Sequence, residues 1–327
     1  MSGQTNKNLI ARHSIWLSLL FPFLISSTEF KRTSVETLPS LLNLAHLKSG
    51  NLSVISYNIA GLPQIISSAT TDRAASTEEI GRKLNRFDIA HVQEDFNYNR
   101  FLYRASEHNF RTITKGKVLF GDGLNTLSKF PIHNVKRIKW NDCSGADCLT
   151  PKGFTYSQLE IAKGVFIDFY NVHANAYNHL AAAAARRKNI MQLSDFIQTN
   201  SIGNAVVVMG DLNGHYSYGH DNIGLLTTGH GLEDSWIVLK NNGAFPVSSL
   251  DMPASNILAL SDSSETIDKI LYRSSPAIQL KAVDYRLENN LFKNAEGLPL
   301  SDHHPVSARI MWTTHIQDQP RLTVSDN

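Results

Sequence analysis

The sequence predicts a layered α/β domain. Short apolar segments recur after residue 50, and several of them end in one polar residue, as buried strands do at the edge of a sheet. Two helical stretches interrupt these strands, and a Lys-Gly pair at residues 163–164 predicts a tight hairpin between two of them. Many strands with a few helices between them are typical of sheets covered by helices.

The strands are predicted from segments rich in β-branched and aromatic residues. They lie at residues 54–58, 89–94, 153–161, 165–173, 205–211 and 267–271. Most of them end in or carry one polar residue, so a rigid sheet would present these side chains together.

Two helices are predicted between the strands. Ser76 and Glu79 have the form of a capping box, and apolar residues follow at helical spacing. These apolar residues are Ile80, Leu84 and Phe87. The second helix runs from residue 179 to residue 200 and includes five consecutive alanines, which favour helix. Its predicted buried stripe consists of Ile190, Leu193 and Ile197.

The two ends of the chain are expected to lie outside this domain. Residues 1–27 have a basic start, a short apolar core and small residues, which is typical of a secretory signal, with an uncleaved membrane anchor as the alternative. Residues 28–49 form a polar lead-in with a short helix around residues 38–47. Residues 50–314 form one domain and residues 315–327 a tail. The protein is therefore expected to be secreted, or membrane-anchored if the signal is retained.

The chain has two cysteines, Cys143 and Cys148, on either side of Gly145. An exported protein sits where disulfides persist, so a local disulfide is predicted, with two free thiols as the alternative. A loop this short removes little chain entropy, so the bond would fix the loop rather than hold the fold.

Composition and charge limit the class of protein more than its partners. With 42% apolar and 18% charged residues, the chain is an ordinary globular protein rather than a disordered one. The net charge of +2 selects no partner. The dense basic runs at residues 136–139 and 186–188 are each interpreted as a solvated face.

Two polar clusters carry the strongest functional signal. Gly-Asp-Leu-Asn at residues 210–213 follows an apolar strand, and Ser-Asp-His-His at residues 301–304 precedes a Pro-Val pair. Carboxylate and amide oxygens suit a hard divalent cation, and a histidine beside an aspartate suits proton transfer. Together they indicate metal-assisted hydrolysis of a phosphate ester.

In their order along the chain, these segments resemble the endonuclease/exonuclease/phosphatase superfamily, from about residue 52 to residue 310. The resemblance implies a four-layer α/β/β/α sandwich, similar to deoxyribonuclease I, in which two packed and mostly antiparallel sheets are flanked by helices. Within it, residues 147–156 resemble the Asp-x4-Lys-Gly-Phe-x-Tyr segment of neutral sphingomyelinases. The site would then lie at one edge of the sandwich.

The resemblance also implies a metal site and a general base. Glu94, Asp302 and Asn58 would hold one or two Mg²⁺ ions, which Mn²⁺ or Co²⁺ could replace. His303, oriented by Asp268, would accept a proton from the attacking water.

The other implied site residues contact water or phosphate. The catalytic ones are His173, Asp211 and Asn213, and the substrate-binding ones are Asn58, Lys152, Asp147 and Asn175. His173 would bond to a phosphate oxygen as negative charge develops, and Lys152 would place a positive charge beside the phosphate.

The expected function is that of a secreted Mg²⁺-dependent phosphodiesterase, a monomer without an obligate protein partner. Its expected substrate is a membrane phospholipid, sphingomyelin, cleaved in the manner of a phospholipase C. A secreted endonuclease similar to deoxyribonuclease I, acting on nucleic acid, is the first alternative. A phosphoinositide or other phosphomonoester phosphatase is the second. A binding module with a decayed site is the non-enzymatic alternative, and it would lack a metal or base residue, whereas this sequence has all of them.

Overall fold

The computed structural model describes residues 34–38, 44–253 and 256–315, all within the compact unit Thr33–Asn327. Its helices are α1 (Arg73–Leu84), α2 (Asn99–Ala105), α3 (Leu180–Asn200), α4 (Gly224–His230) and α5 (Ser235–Lys240), and its short 3₁₀ helices are Gly145–Leu149 and Ile257–Ala259. In this part of the chain, no helix combines the length and the apolar character needed to cross a membrane. The predicted signal at residues 1–27 and residues 316–327 of the predicted tail lie outside the described residues.

Seven strands form the first sheet, in the spatial order β1-β4-β5-β3-β2-β13-β12. They are β1 (Val35–Thr37), β2 (Ser49–Asn58), β3 (Ile89–Gln93), β4 (Phe110–Thr112), β5 (Asn125–Ser128), β12 (Ile278–Leu287) and β13 (Val306–Thr314). All neighbours are antiparallel except β2 and β3, which are parallel.

Six strands form the second sheet, in the order β10-β11-β9-β8-β7-β6. They are β6 (Ile132–Lys139), β7 (Gly153–Ala162), β8 (Val165–His173), β9 (Val206–Asp211), β10 (Glu233–Asp234) and β11 (Asp268–Arg273). Here β8 and β9 are the parallel pair. The predicted hairpin between β7 and β8 is confirmed, with Gly164 at a φ of 77° that a residue with a side chain would adopt only under strain.

Alternate residues along one strand pack into different layers, which confirms the four-layer sandwich. Leu52 and Val54 of β2 lie in the core between the sheets, with Phe169 and Met209 from the second sheet. Ile55 and Tyr57 face the opposite way and pack against α1 and α2. On the far side, α3 and α4 cover the second sheet. This alternation follows from the two-residue period of a strand.

The longer predicted helix is confirmed as α3, which begins after His179 and ends at Asn200. Its predicted stripe, Ile190, Leu193 and Ile197, is fully buried. The solvated basic face predicted on this helix is wrong at its first residue, because Arg186 is completely buried and pairs with Asp221 at 2.6 Å. Since Asp221 lies far along the chain, the local sequence does not show that Arg186 has a partner.

The predicted capping box is wrong, although the helix it introduces is real. α1 begins at Arg73, and Asp72 caps it by accepting a hydrogen bond from Ala75 N at 2.7 Å. Ser76 and Thr77 lie inside the helix, where the Thr77 hydroxyl bonds to Arg73 O at 2.6 Å.

In the lead-in segment, residues 28–49, the structure shows a strand where a short helix was predicted nearby. β1 pairs antiparallel with β4 at the edge of the first sheet. Residue 38 and residues 44–47 of the predicted short helix are not helical, and residues 39–43 lie outside the described residues.

Candidate active site

Six strands meet at one edge of the sandwich, where the predicted site residues lie. β2, β3, β8 and β9 end at this edge, and β11 and β13 begin there, since Asp268 pairs with Asp211 and Val306 pairs with Ser56. Parallel strands bring their carboxyl ends together, so polar residues far apart in sequence become neighbours.

Asn58 joins the two sheets at this edge. Its Nδ2 donates to Glu94 Oε1 at 3.2 Å and to Asp211 Oδ2 at 3.1 Å. Its Oδ1 accepts a hydrogen bond from Ala60 N at 3.1 Å. The side chain therefore holds the part-buried Glu94 carboxylate and the buried Asp211 carboxylate at a fixed separation.

Glu94 follows β3 in a left-handed backbone conformation, with a φ of 57°. Two glycines make room for this turn. A Cβ at Gly61 would lie 2.1 Å from Glu94 O, and one at Gly123 would lie 2.7 Å from the Phe96 ring. Burial raises the pKa of Glu94, and the nearby Lys152 charge opposes that shift.

His303 lies between two aspartates. Its Nδ1 is 2.8 Å from Asp268 Oδ2, and its Nε2 is 3.8 Å from Asp211 Oδ2. Burial alone would lower the pKa of His303, but the two carboxylates outweigh it and raise the pKa to about 10. The structure therefore provides the predicted orienting partner for this histidine.

Asp211 is the centre of the cluster. Besides Asn58 and His303, it has His173 Nε2 at 3.5 Å. Burial raises the pKa of Asp211 to about 6, against the opposing effect of His303. Burial also lowers the pKa of His173 well below its ordinary value, so His173 is neutral at pH 7 and can donate one hydrogen bond.

Asp147 and Lys152, both predicted to contact substrate, form an ion pair, with Oδ1 and Nζ 2.8 Å apart and both side chains 10% exposed. The Lys152 charge acts on Glu94, Asp211 and His173, which places it beside the cluster. The predicted Cys143–Cys148 disulfide is also formed, and it closes the loop that carries Asp147.

The remaining predicted residues contribute in different ways. Asp302 acts electrostatically on Glu94 and on His303, so it lies near both. Asn213, in a left-handed conformation, donates from Nδ2 to Ala174 O at 3.1 Å. Asn175 turns to the disulfide loop, accepting from Ser144 N at 2.7 Å and donating to Ala176 O at 2.8 Å. Its contact with substrate stays a prediction, and the structure gives it a second role in holding that loop.

The donors at this edge fit a divalent cation. Asp211, Asp268 and His303 can place one ligand atom each within 4.8 Å of one another. Partial burial of the Glu94 carboxylate and full burial of the Asp211 carboxylate penalise their charged forms, as expected where a cation would compensate them. Oxygen donors of this kind suit Mg²⁺ rather than a soft metal. Assignment of the metal to Glu94, Asp302 and Asn58 stays a prediction.

Sequence reasoning missed a polar network beneath the site. Gln93 Nε2 donates to Asn171 Oδ1 at 2.8 Å, and Asn171 Nδ2 donates to Val92 O and Asn125 O, each at 3.0 Å. These contacts tie the two sheets together just behind Glu94 and His173. Gln93 and Asn171 are polar residues inside apolar strands, and this is the signal of the network that the sequence contains.

Two further contacts fix the loop that carries His303. Ser301 Oγ donates to Asn58 O at 2.7 Å. The buried Arg73 guanidinium donates to Leu300 O, with Nη1 at 3.0 Å. The sequence shows no motif at Arg73 that would reveal this role.

Comparisons with known proteins agree with this geometry. The model of Endonuclease/Exonuclease/phosphatase family 2 matches residues 33–247. A sphingomyelinase of Mycobacterium tuberculosis (strain ATCC 25618 / H37Rv) is 39% identical over 264 residues, which cover 79% of this chain and 52% of that protein. The chain thus spans about half the length of the curated relatives it matches.

Two solved structures share the fold. Sphingomyelinase C from Streptomyces griseocarneus has a TM-score of 0.54 at 20% identity, covering 80% of this chain and 99% of that one. A mutant of beta toxin from Staphylococcus aureus with bound magnesium ions has a TM-score of 0.55 at 16% identity, covering 79% and 99%.

Proposed function

The chain belongs to Endonuclease/Exonuclease/phosphatase family 2, and on that premise we propose that it is a secreted, Mg²⁺-dependent phosphodiesterase that cleaves sphingomyelin into ceramide and choline phosphate. The observation that carries the proposal is the His303 cluster: one imidazole lies between Asp268 and Asp211, and Asn58 links Asp211 to Glu94. A base, its orienting acid and a metal-suited carboxylate occupy one edge of the sandwich.

The proposed proton transfer uses the two nitrogens of His303 differently. With a pKa raised to about 10, His303 carries both protons in the metal-free protein, and a bound cation that offsets the charge of its two aspartates would free Nε2. Nδ1–H then donates to Asp268, which holds the ring, and Nε2 accepts the proton of a water lying near Asp211. The water oxygen forms a bond to phosphorus, the bond from phosphorus to the ceramide oxygen breaks, and the ceramide oxygen takes a proton from solvent to leave as a hydroxyl group. His303 later releases its proton to solvent. His173 Nε2 and Lys152 Nζ stabilise the negative charge that develops on the other phosphate oxygens.

Glu94, Asp302 and Asn58 would hold the Mg²⁺ in this proposal. When bound, the cation would offset the carboxylate charge around His303 and neutralise negative charge on the phosphate. The beta toxin mutant, which has the same fold as this chain, contains bound magnesium ions, and this supports the choice of metal.

The sphingomyelin assignment rests on the 39% identity to a sphingomyelinase and on the Asp147–Lys152 pair beside the cluster. Secretion is supported by the composition of residues 1–27 and by the disulfide, which persists outside the reducing cytosol.

A substrate panel tests the proposal. Purified protein is given sphingomyelin liposomes, duplex DNA and phosphoinositide liposomes, each with Mg²⁺ and with excess EDTA. Choline phosphate release that EDTA abolishes is the expected result. DNA cleavage without lipid turnover would instead favour the endonuclease, and inorganic phosphate release would favour the phosphatase.

A further inference from the structure

The loop that carries Asp147 has almost no packing of its own. Among residues 141–150, Asp147 is the only buried residue, and both cysteines are exposed. Gly145, in the middle of the loop, has a φ of 67°, and a Cβ there would meet no atom within 4 Å. Apolar burial therefore cannot fix the position of Asp147.

Covalent and polar links do this instead. The Cys143–Cys148 disulfide closes the loop, with 5.3 Å between the Cα atoms. Ser144 N donates to Asn175 Oδ1 at 2.7 Å, next to the strand end that carries His173. The loop is thus tied to the edge of the second sheet. Its first two residues are also tied to α3, because Asn141 N donates to Gln192 Oε1 and Asn189 Nδ2 donates to Asp142 O, each at 2.9 Å.

Asp147 uses both carboxylate oxygens. Oδ1 is 2.8 Å from Lys152 Nζ, and Oδ2 accepts a hydrogen bond from Ala176 N at 2.5 Å. The lysine side chain has four rotatable bonds, so without a fixed anion its charge would spread over many positions. Ala176 N holds the carboxylate group, and the closed loop holds the Asp147 backbone from which that group extends.

We propose that the Cys143–Cys148 disulfide is a positioning element for the Lys152 ammonium: by closing an otherwise unpacked loop, it holds Asp147 where that carboxylate keeps the lysine aimed at the reacting phosphate. The inference rests on the proposed function for its kinetic effect, while the underlying geometry does not depend on any substrate.

A double-mutant cycle tests this role. The variants are C143S/C148S, K152A and the triple combination, each assayed on sphingomyelin liposomes with Mg²⁺. Loss of the disulfide should lower kcat/KM about tenfold in the wild-type background and less than twofold in the K152A background, because the position of an absent lysine no longer matters. Equal losses in both backgrounds would overturn the proposal, as would no loss in the wild-type background.

A second experiment tests the position of Lys152 without measuring enzymatic activity. Acylation of Lys152 by an amine-reactive reagent, followed by peptide mass spectrometry, should be several times faster in C143S/C148S than in wild type, while the exposed Lys281 on β12 should react equally in both. An unchanged Lys152 rate would refute the inference even if the panel above found no phosphodiesterase. A changed rate in an inactive protein would instead refute only the proposed function.

Lys188→Ala is the matched control for disturbance of the loop. It removes an exposed ion pair to Asp142, at 2.6 Å, without touching Asp147. Its activity should stay within twofold of wild type. C143S/C148S should still fold, and a variant that failed to fold would overturn the proposal by giving the disulfide a role in the whole fold.

Discussion

Replacing Asp268 by asparagine isolates the contribution of one charge to the site. Asp268 is 1% exposed, and its carboxylate makes its single side-chain hydrogen bond in the described residues to His303 Nδ1, at 2.8 Å. Asparagine has nearly the same shape but cannot stabilise an imidazolium. A hydrogen bond to a charged group contributes roughly 1.5–3 kcal/mol, so kcat/KM should fall by about one hundredfold.

The same substitution should change the titration of His303. The pKa of this histidine is raised to about 10 against burial, with Asp268 the largest favourable influence and Asp211 the next. A raised folded-state pKa stabilises the fold below the unfolded value of about 6.5, and this contribution is lost as pH rises through the folded value. Asp268→Asn should therefore lower the His303 pKa and weaken this part of the pH dependence of unfolding.

Two assays check these outcomes together. Steady-state hydrolysis of sphingomyelin gives kcat/KM, and NMR of the metal-free protein gives the His303 titration. Asp284→Asn is the matched control, because Asp284 is partly exposed and forms a surface ion pair with Arg286 at 3.0 Å. If Asp268→Asn retained near-normal turnover while His303→Ala had none, the proposed orienting role of Asp268 would be refuted.

Four further outcomes are expected. Lys152→Ala should lower choline phosphate release about one hundredfold, on the order of 3 kcal/mol, whereas the exposed Lys115→Ala should change it less than twofold; similar effects of both would point to a diffuse charged surface. Mg²⁺ should raise the Tm of wild type but not of Glu94→Gln, as calorimetry would measure, and equal shifts would place the metal elsewhere. Secreted protein should begin near residue 28 by mass spectrometry, and retention of the first residues would favour an anchor. Burial lowers the pKa of His108 to about 4, so the stability that its neutral form contributes is present above about pH 6.5 and is lost as pH falls to about 4. In His108→Gln, the free energy of unfolding should therefore fall by about 3 kcal/mol less than in wild type over this pH range, as denaturant titrations would measure. The same dependence of unfolding free energy on pH in both proteins would argue against this role.

Sequence patterns predicted the parts of this fold that depend on local chemistry. The apolar segments at residues 54–58 and 165–173 lie within β2 and β8, and the apolar stripe of α3 identifies its buried side. Polar residues at strand ends indicated the edge where Asn58 and His303 lie. These signals need only neighbouring residues, which a sequence displays directly.

The parts that could not be predicted depend on partners far along the chain. Arg186 looks like an exposed charge until Asp221 is brought beside it. Gln93 looks like an ordinary strand residue until Asn171 approaches from the other sheet. The capping-box prediction was wrong for a local reason. Asp72, one turn before Ser76, already accepts a hydrogen bond from a free backbone N–H group at the start of α1.

The left-handed turn at Glu94 means that the position of the proposed metal ligand depends on two residues that have no side chain. At Gly61 the space for a methyl group is taken by the Glu94 carbonyl, and at Gly123 it is taken by the Phe96 ring. A relative could exchange one oxygen donor around the cation for another and keep the shape of the site, whereas one carbon added at either glycine would push the ligand out of place. Two residues without any functional group therefore fix where the Glu94 carboxylate lies, by leaving room for the backbone and ring that surround it.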